Sequence, residues 1–437
     1  MTWPGYPQYK PSGSAYLGDV PSHWIVSKFS RHVWINGGQV DPRVDAYCAM
    51  PLIAPNHVES QTGKLLALET AEEQGADSGK YLVRQGQIIY SKIRPNLAKA
   101  VIAPADCLCS ADMYGLTPDP SVLDSAYAIR VLLSRPFTDY VVDSSMRVAM
   151  PKVNHESLGA APVWFPPVDE QRMIVDFLER ETAKSDALIA KQEQLIATLR
   201  EDRAATITQA ATKGLDPDVE MKDSGAGWIG DVPAHWSVAK IKHGFSVTLG
   251  KMFQGEAQAA VDVQLPHLKA GSLTTTGLSL DDPLLCWFSP GEIHSLTLRK
   301  GDILVVEGGA IGRCVVLDRD LDGWGFQKSL NRVRALHGDS PEFLAYLIEA
   351  ATLSGHVSIL CGRATIPHFT AEKLAALEWP HPGVDEQVAI AAFLKARCAE
   401  IDALITKSTE MIETLREYRS ALITDAVTGR IDVRKVA

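Results

Sequence analysis

The sequence predicts an α+β protein in which two mixed α/β domains are joined by two long antiparallel coiled-coil helices. Three observations favour this class: a phrase that occurs twice, two long segments with helical periodicity, and two regions rich in strand-like runs. The phrase and the long segments recur after about 215 residues in a chain of 437 residues. That period is the size of a domain, so we infer one ancestral unit duplicated about a pseudo-twofold axis.

The repeated phrase is Gly-Asp-Val-Pro-x-His-Trp. It lies within YLGDVPSHW, from Tyr16 to Trp24, and within WIGDVPAHW, from Trp228 to Trp236. Each copy stands immediately before a region that differs between the two halves of the chain. A catalytic His-Asp pair is disfavoured, because neither copy brings a nucleophile or a metal ligand with it. We predict instead a joint between a domain and a helix, formed by Asp19, His23, Trp24, Asp231, His235 and Trp236.

Two long segments, which begin at Val168 and Val384, predict helices. A proline lies just before each start, Asp169 or Asp385 can cap it, and neither Gly nor Pro follows for about forty residues. Apolar residues recur at three- and four-residue steps between charges, which favours coiled-coil pairing. Each helix would be roughly 65 Å long. Helices related by a twofold axis run antiparallel, so the first phrase should lie against the end of the second helix, near the sequence GRIDV.

The two variable regions, roughly 26–165 and 238–380, predict mixed sheet and helix. Both contain β-branched runs bounded by glycine, as in Lys80 to Ile93 and Lys300 to Asp318. The predicted domain limits are 1–165 for the first phrase and its variable domain, 166–215 for the first long helix, 216–380 for the second phrase and its variable domain, and 381–437 for the second helix and the tail.

Composition argues against several classes of protein. No basic segment followed by an apolar run begins the chain, and no stretch of about eighteen apolar residues occurs. We therefore expect a soluble, unsecreted, cytoplasmic protein without a membrane partner. The seven cysteines are scattered without a C-x-x-C pair. We expect reduced thiols and no metal site, and we disfavour Cys107 and Cys109 as metal ligands.

Motifs for catalysis are missing as well. The sequence has no phosphate loop of the form G-x-x-x-x-G-K-[ST], no G-x-S-x-G and no H-E-x-x-H. It also lacks the Pro-Pro-aromatic motif with which amino-methyltransferases hold a flipped base. Gly308, Gly309 and Gly312 are interpreted as a tight turn rather than a dinucleotide loop. We predict no catalytic residue and no cofactor.

Basic residues lie among strand-like segments of both variable regions. The net charge of −10 argues against nonspecific coating of nucleic acid but is compatible with local basic faces. A DNA-reading domain needs phosphate anchors and a few donors at base edges, and for each single residue a solvated surface charge remains the alternative. Lys92 with Arg94, beside Pro95 and Asn96, is the strongest local candidate. The candidate DNA-binding residues are Lys92, Arg94, Arg147 and Lys152 in the first region, and Arg299, Lys300, Arg313, Lys328, Arg332 and Arg363 in the second.

Five segments follow one another along the chain: YPQYKPSGSAYLGDVPSHW, GQIIYSKIRPNLAKA, PPVDEQ, then MKDSGAGWIGDVPAHW, which echoes the first, and GVDEQ, which pairs with the third. In these segments the sequence resembles the specificity subunits of type I restriction-modification systems. The resemblance covers nearly the whole chain, in order and in duplicate. It implies two target recognition domains, each of which reads one half of a bipartite DNA sequence, separated by two antiparallel helices that set the unread gap.

The resemblance also implies partners and the absence of a catalytic centre. Such subunits bind double-stranded DNA and two modification subunits, which use S-adenosylmethionine to methylate adenine, and motor-nuclease subunits complete the restriction complex. The base-reading residues of the family cannot be carried over by motif, so the Lys and Arg candidates rest on chemistry alone. We expect a non-palindromic target, because the variable regions share little. We also expect the modification subunits to dock on exposed helix faces that carry Arg200, Glu201, Arg203, Arg416, Glu417 and Arg419.

Two other functions stay open on the sequence. One is a coiled-coil interaction or scaffold protein without a role in DNA binding, which the acidic net charge would suit. The other is the recognition portion of a fused methyltransferase-nuclease, against which the missing methyltransferase motif argues. Salt-dependent DNA binding of the assembled complex would discriminate the first from a specificity subunit.

Overall fold

The computed structural model describes residues 3–145, 151–274, 277–362 and 367–436. They form two compact units. Unit 1 comprises residues 1–193 and 410–437, and unit 2 comprises residues 194–409. Each unit therefore contains one copy of the phrase, one variable region and a segment of each long helix.

Unit 1 contains two four-stranded sheets and two strand pairs. Its strands are β1 (Tyr9–Pro11), β2 (Asp19–Pro21), β3 (Ile25–Lys28), β4 (Val33–Ile35), β5 (Gln39–Val40), β6 (Leu52–Ile53), β7 (Lys80–Val83), β8 (Ile88–Ser91), β9 (Ala100–Ile102), β10 (Cys107–Cys109), β11 (Met113–Pro118) and β12 (Pro162–Phe165). One sheet has the order β4-β11-β8-β9 and is antiparallel throughout. The other has the order β5-β7-β10-β6, with β6 parallel to β10. The strand after the phrase, β3, pairs with β12, which precedes the long helix.

The helices of unit 1 are α1 (Asp45–Cys48), α2 (Ser125–Leu132), α3 (Arg135–Ser145), α4 (His155–Ala160) and the first part of α5 (Val168–Lys213), together with the last part of the second long helix. Residues of α2 and α3 share a hydrophobic core with the antiparallel sheet. The carboxylate of Asp124 accepts hydrogen bonds from the first backbone N–H groups of α2, which fixes where this helix begins. Tyr90 of the sheet and Tyr127 and Phe137 of the helices are buried in one hydrophobic core.

Unit 2 repeats this plan. Its strands are β13 (Met221–Asp223), β14 (Asp231–Pro233), β15 (Ser237–Lys240), β16 (Phe245–Leu249), β17 (Val263–Leu268), β18 (Leu273–Thr274), β19 (Gly277–Leu278), β20 (Leu284–Phe288), β21 (Ile303–Val306), β22 (Cys314–Val316), β23 (Gly325–Phe326), β24 (Leu330–Ala335) and β25 (Glu378–His381). Its helices are α6 (Ile241–Gly244), α7 (Pro290–Ser295), α8 (Pro341–Leu353), α9 (His356–Cys361), α10 (Ala371–Ala376) and the first part of α11 (Val384–Val427). The antiparallel sheet β16-β24-β21-β22 corresponds strand for strand to β4-β11-β8-β9. The second sheets differ, since among the described residues the second sheet of unit 2 consists of the three strands β20-β17-β23.

The two long helices are α5, of 46 residues, and α11, of 44 residues. At 1.5 Å per residue they are about 69 and 66 Å long. In unit 1 the two helices run antiparallel, because Arg419 lies 3.1 Å from Asp186 while Arg416 lies 3.6 Å from Glu193. Both helices begin one residue before the predicted caps, so Asp169 and its equivalent in α11 lie within the first turn, where the helix dipole favours negative charge.

The repeated phrase forms the predicted joint in unit 1. Glu170 of α5 accepts hydrogen bonds from Trp24 Nε1 (3.0 Å) and from the Tyr6 hydroxyl (2.7 Å), and its other oxygen lies 2.8 Å from His23 Nε2. Trp24 is fully buried. The expectation was wrong for Asp19, which is exposed, and whose carboxylate bonds to no described residue.

The joint in unit 2 has the same chemistry. Glu386 of α11 accepts a hydrogen bond from Trp236 Nε1 (3.0 Å) and lies 3.0 Å from His235 Nε2. Asp231, like its counterpart, is exposed. The glutamate of each Val-Asp-Glu-Gln segment is therefore the partner of the His and Trp of one phrase.

The first phrase also lies against the end of α11, as expected, because Pro21 and Trp24 are the side chains nearest to Gly429. The Tyr9 hydroxyl donates to the carbonyl of Gly429 (3.0 Å), and the backbone N–H of Asp432 donates to the carbonyl of Pro4 (2.7 Å). The residues after α11 thus pack onto the segment that carries β1 and β2.

Cys107 and Cys109 are buried in β10, and burial raises the pKa of both thiols to about 12. Metal ligation needs the thiolate, which a raised pKa disfavours. Across the described ranges, no group of three or more His, Cys, Asp or Glu side chains could hold a metal ion. No helix in the same ranges is long and apolar enough to cross a membrane.

Candidate nucleic-acid interface

The loop after β8 brings together three candidate basic residues of unit 1. The backbone N–H of Val153 donates to the carbonyl of Lys92 (2.9 Å), and that of Arg94 donates to the carbonyl of Pro151 (3.0 Å). The two chain segments therefore lie side by side. We call Lys92, Arg94 and Lys152 the unit 1 basic cluster.

Lys92 is held by its neighbours. Its side chain is largely buried, at 8% exposure, and its ammonium lies 4.9 Å from the ring centre of Tyr114 and 5.7 Å from that of Tyr81. Such cation–π contacts orient the ammonium. Burial, followed by repulsion from Lys152, lowers the pKa of Lys92. A lysine held in one orientation suits a contact to a base edge better than a mobile phosphate anchor.

Arg94 and Lys152 are exposed, and neither side chain bonds to a described residue. Arg94 has a φ of 49°, in the left-handed region that non-glycine residues rarely adopt. Its guanidinium is therefore available to a ligand. The fourth candidate of this unit, Arg147, lies outside the described residues, as does Arg363 of the second unit.

The equivalent loop of unit 2 follows β21. The backbone N–H of Phe369 donates to the carbonyl of Glu307 (2.7 Å), just as Val153 donates to Lys92. Gly309, with a φ of 83°, takes the place of Arg94. The same backbone geometry thus presents a carboxylate in unit 2 where unit 1 presents an ammonium.

Two predicted residues of unit 2 lie beside this loop. Arg313 lies at the far end of this loop, where its carbonyl accepts a hydrogen bond from the N–H of Val306 (2.8 Å). Its guanidinium donates to the carbonyl of Leu273 (3.1 Å). Lys328 is exposed and precedes Ser329, whose carbonyl accepts the N–H of Glu307 (2.9 Å). Glu307, Arg313 and Lys328 form what we call the unit 2 mixed cluster.

The other predicted residues of unit 2 lie elsewhere. Arg299 and Lys300 are exposed, but they precede β21 and so lie at the opposite end of this strand, about 13 Å away. Arg332 is 6% exposed and donates to the carbonyls of Ser295 (3.0 Å) and Thr297 (2.7 Å). Burial, and then repulsion from another arginine, lowers its pKa. These contacts hold Arg332 in the fold.

Glu307 was missed by reasoning from basic residues, because an acidic side chain is not a phosphate anchor. The signal was nevertheless in the sequence. Gly86 and Gly301 occupy the same place in the two halves, and counting six residues onward from each pairs Lys92 with Glu307. A carboxylate accepts a hydrogen bond from the amino group of cytosine, so it is also a base-reading group.

Comparison with known proteins identifies the family. The model described as "Type I restriction modification DNA specificity domain" matches residues 44–198 and 287–414, together more than half of the chain. The chain is 39% identical over 172 residues to the type I restriction enzyme EcoDI specificity subunit of Escherichia coli, which covers 39% of this chain and 38% of that protein. It is 22% identical over 436 residues to the putative type I restriction enzyme MjaX specificity subunit of Methanocaldococcus jannaschii, which covers 96% of each.

Solved structures share the fold. A chain from a study of complex assembly and conformational transition of the type I restriction-modification system aligns with a TM-score of 0.73 at 17% identity, over 94% of this chain and 99% of that chain. The HsdS subunit from Thermoanaerobacter tengcongensis aligns with a TM-score of 0.51 at 16% identity, over 94% of this chain and 98% of that chain. With two matched regions and this shared fold, the chain belongs to the type I restriction modification DNA specificity domain family.

Proposed function

We propose that the chain is the non-catalytic specificity subunit of a type I restriction-modification complex. It reads a bipartite, non-palindromic DNA target and directs adenine methylation and restriction by partner subunits. The observation that carries the proposal is the match of the family model to both variable regions of a duplicated chain. In this proposal the domain limits are those of the sequence: 1–165 and 216–380 for recognition, 166–215 and 381–437 for the helices.

DNA reading is assigned to the two clusters. In unit 1, Arg94 and Lys152 contact phosphates and Lys92 donates to a base edge, for which guanine O6 and N7 are the usual acceptors. In unit 2, Lys328 anchors the phosphate backbone and Glu307 accepts from a cytosine amino group. Opposite chemistry at one backbone position supports two different half-sites.

The helices are assigned two further roles. Residues of α5 and α11 belong to both units. We assign the length of these helices to the spacing between half-sites, since B-DNA turns once in about 34–36 Å.

The second role is docking of the modification subunits. Five large apolar side chains of α5 and α11 are 44–51% exposed, at heptad spacing: Leu188, Leu195, Leu404, Met411 and Tyr418. Leu188 matches Leu404, and Leu195 matches Met411, in the two copies of the helix. A duplicated apolar stripe supports two copies of one partner.

The charged residues expected on this docking face divide into two groups. Arg200 and Arg416 are exposed. Arg203 and Arg419 were wrongly placed there, because each turns inward to an aspartate of the facing helix, at 3.2 and 3.1 Å.

Methylation mapping of cells that carry the complex tests the proposal. We expect methylated adenines in two different half-sites separated by an unread gap. A continuous palindrome, or no methylation that depends on this chain, would contradict it. Salt-dependent binding of the assembled complex to DNA separates the proposal from a scaffold role.

The substitution Glu307→Gln is expected to change only the half-site read by unit 2. The amide can donate as well as accept, so discrimination at one base pair should fall by about 1–3 kcal/mol while the other half-site is unchanged. Binding to duplexes substituted at each position measures this. Glu372→Gln, an exposed glutamate on α10, is the matched control. Equal binding profiles of the two variants would remove Glu307 from the interface.

A further inference from the structure

A cavity of about 280 Å³ lies in unit 1 between the variable domain and the long helices. Three cationic side chains line it, together with two carboxylates and several threonine and apolar groups. The charged lining residues are Lys64, Arg130, Glu179, Asp186 and Arg419. None of them belongs to the basic cluster at the DNA-reading loop.

Arg419 enters this cavity from α11 with few strong contacts. Its side chain is 8% exposed, and its Nε lies 3.1 Å from Asp186 Oδ1. The terminal nitrogens donate to the carbonyls of Gln61 and Thr62 at 3.4 Å each, beyond the usual length of an N–H···O bond. Among the described residues, Asp186 is the one carboxylate that pairs with Arg419, and it also pairs with Lys64 at 2.7 Å.

Arg130 enters the cavity from α2 and makes no hydrogen bond or ion pair with any described residue. Its Nε is buried without a partner. Burial, followed by repulsion from Arg419, lowers the pKa of Arg130. A guanidinium that is partly desolvated, unpartnered and close to a second cation is missing an anion.

The equivalent place in unit 2 shows which protein group such an anion would stand in for. Asp124 and Ser340 cap equivalent helices, and counting from them pairs Leu133 with Glu349. Arg203, the counterpart of Arg419, contacts both Glu349 and Asp402. In unit 2 the arginine therefore has two carboxylates of its own.

The counterpart of Arg130 in unit 2 is Tyr346, so this place carries no second cation there. Unit 1 has lost one carboxylate, at Leu133, and gained one guanidinium, at Arg130. Glu179 stands where unit 2 has Lys395, so this position changes by two negative charges and balances the two positive changes in number. Its carboxylate nevertheless bonds to no described residue. The lining of the cavity itself, with three cations and two carboxylates, carries one positive charge in excess.

We propose that the cavity binds a phosphate group between Arg130 and Arg419. Guanidinium groups match phosphate oxygens in bidentate geometry, and burial strengthens such bonds. The phosphate would supply the negative charge that Glu349 supplies in unit 2. Its source is either free inorganic phosphate or a phosphate of the DNA backbone.

Calorimetric titration of the full chain with inorganic phosphate, at constant ionic strength in chloride, tests the proposal. We expect saturable binding, with a thermal unfolding midpoint that rises with phosphate concentration because the ligand binds only the folded state. Arg130→Gln should reduce the affinity at least tenfold. Arg135→Gln, an arginine whose side chain is 82% exposed in the same unit, should retain it.

Two further experiments distinguish the two sources of phosphate and control for misfolding of the variants. Competition by a duplex of DNA would assign the site to a backbone phosphate, whereas unchanged phosphate binding in its presence would assign it to the free ion. Leu133→Glu restores the carboxylate of unit 2 and should abolish the phosphate response in a folded protein. Absence of saturable binding, or equal binding by the Arg130 and Arg135 variants, would mean an adventitious ion only and would overturn the proposal.

Discussion

At the scale of single residues, Arg94 combines strain with exposure. Its left-handed backbone is shared with Gly309, which adopts the same conformation without a side chain. Strained residues persist where the surrounding structure fixes them, and they cluster at functional sites. The backbone conformation of the loop therefore does not require arginine. We attribute the presence of arginine at this position to its guanidinium group.

Two substitutions at Arg94 separate its backbone from its side chain. Arg94→Gly relieves the left-handed strain and should leave the free energy of unfolding unchanged or raise it by up to about 1 kcal/mol. Arg94→Ala keeps the left-handed strain, so it should not raise the free energy of unfolding. Both lose the guanidinium, so both should weaken DNA binding by the assembled complex to the same degree. Chemical denaturation and DNA titration measure the two quantities. Full binding by either variant would remove Arg94 from the interface.

Residue-level reasoning found some members of the two candidate clusters and missed one. Lys92 and Arg94 could be found because charge, a following proline and a strand end all lie within a few positions. The burial of Arg332 could not be predicted from the sequence, because folding of the sheet is what brings the carbonyls of Ser295 and Thr297 close to it. Glu307 was overlooked because only cations were sought.

At the scale of elements, each long helix ends at a left-handed glycine that packs against a phrase. Gly429 and Gly214 have φ angles of 76° and 77°. A Cβ added to Gly429 would lie 2.3 Å from Pro21, and one added to Gly214 would lie 3.2 Å from the ring of Trp236. The end of each helix thus depends on close approach as well as on a backbone angle.

The substitution Gly429→Ala should destabilise unit 1 more than Gly13→Ala does. Gly13 has a φ of 75°, but an added Cβ there would meet nothing within 4 Å. The angle alone costs about 1 kcal/mol, and overpacking at Gly429 should add a further 1–3 kcal/mol or so. Denaturant unfolding of both variants measures the difference. Equal losses would show that packing against the phrase contributes nothing.

Lengthening both helices should lengthen the unread gap in the target. Four residues inserted near Lys191, after Glu193, with four more after Thr409, add about 6 Å and little more than one helical turn, so the apolar faces stay aligned. Methylation mapping should show a spacer longer by about two base pairs and unchanged half-sites. Two-residue insertions rotate the faces and should abolish methylation instead. The parental spacer in the four-residue variant would refute the ruler role.

Helices and strands were predictable to different degrees. The helices followed from periodicity and the lack of Gly and Pro, and their starts were displaced by one residue only. The strand order of the variable regions did not follow, because β6 pairs in parallel with β10 across a long sequence separation. The number of strands in the second sheet differs between the units, and no local sequence pattern predicted this difference.

At the scale of the whole molecule, duplication explains most of what the chain repeats. The antiparallel sheet, the joint and the long helix occur twice, whereas the second sheet and the loop clusters differ. The joint could be predicted because both its parts recur in the sequence. Its glutamate partner could not, since Glu170 lies 146 residues beyond Trp24 and only folding brings them together.

A circularly permuted chain should fold as well as the parent. The backbone N–H of Asp432 donates to the carbonyl of Pro4, so a short linker can join Val436 to Trp3, with new termini after the exposed Pro217. The thermal midpoint should move by less than about 4 °C, the shift that 1 kcal/mol produces. A chain opened within the buried strand β8 is the control and should not fold. Failure of the first permutation alone would contradict the packing of the two ends.

The hydrogen bonds of Gln171 affect how readily one variable domain can be exchanged for another. In the part of the chain that the structure describes, this side chain forms hydrogen bonds to backbone groups alone, namely the N–H of Asp124 and the carbonyls of Val122 and Pro166. Backbone groups are the same in every sequence. A different segment placed between Trp24 and Glu170 could therefore keep these three hydrogen bonds whatever its side chains are. If the chain has the proposed function, in-frame exchange of this segment would change one half-site of the DNA target in one step.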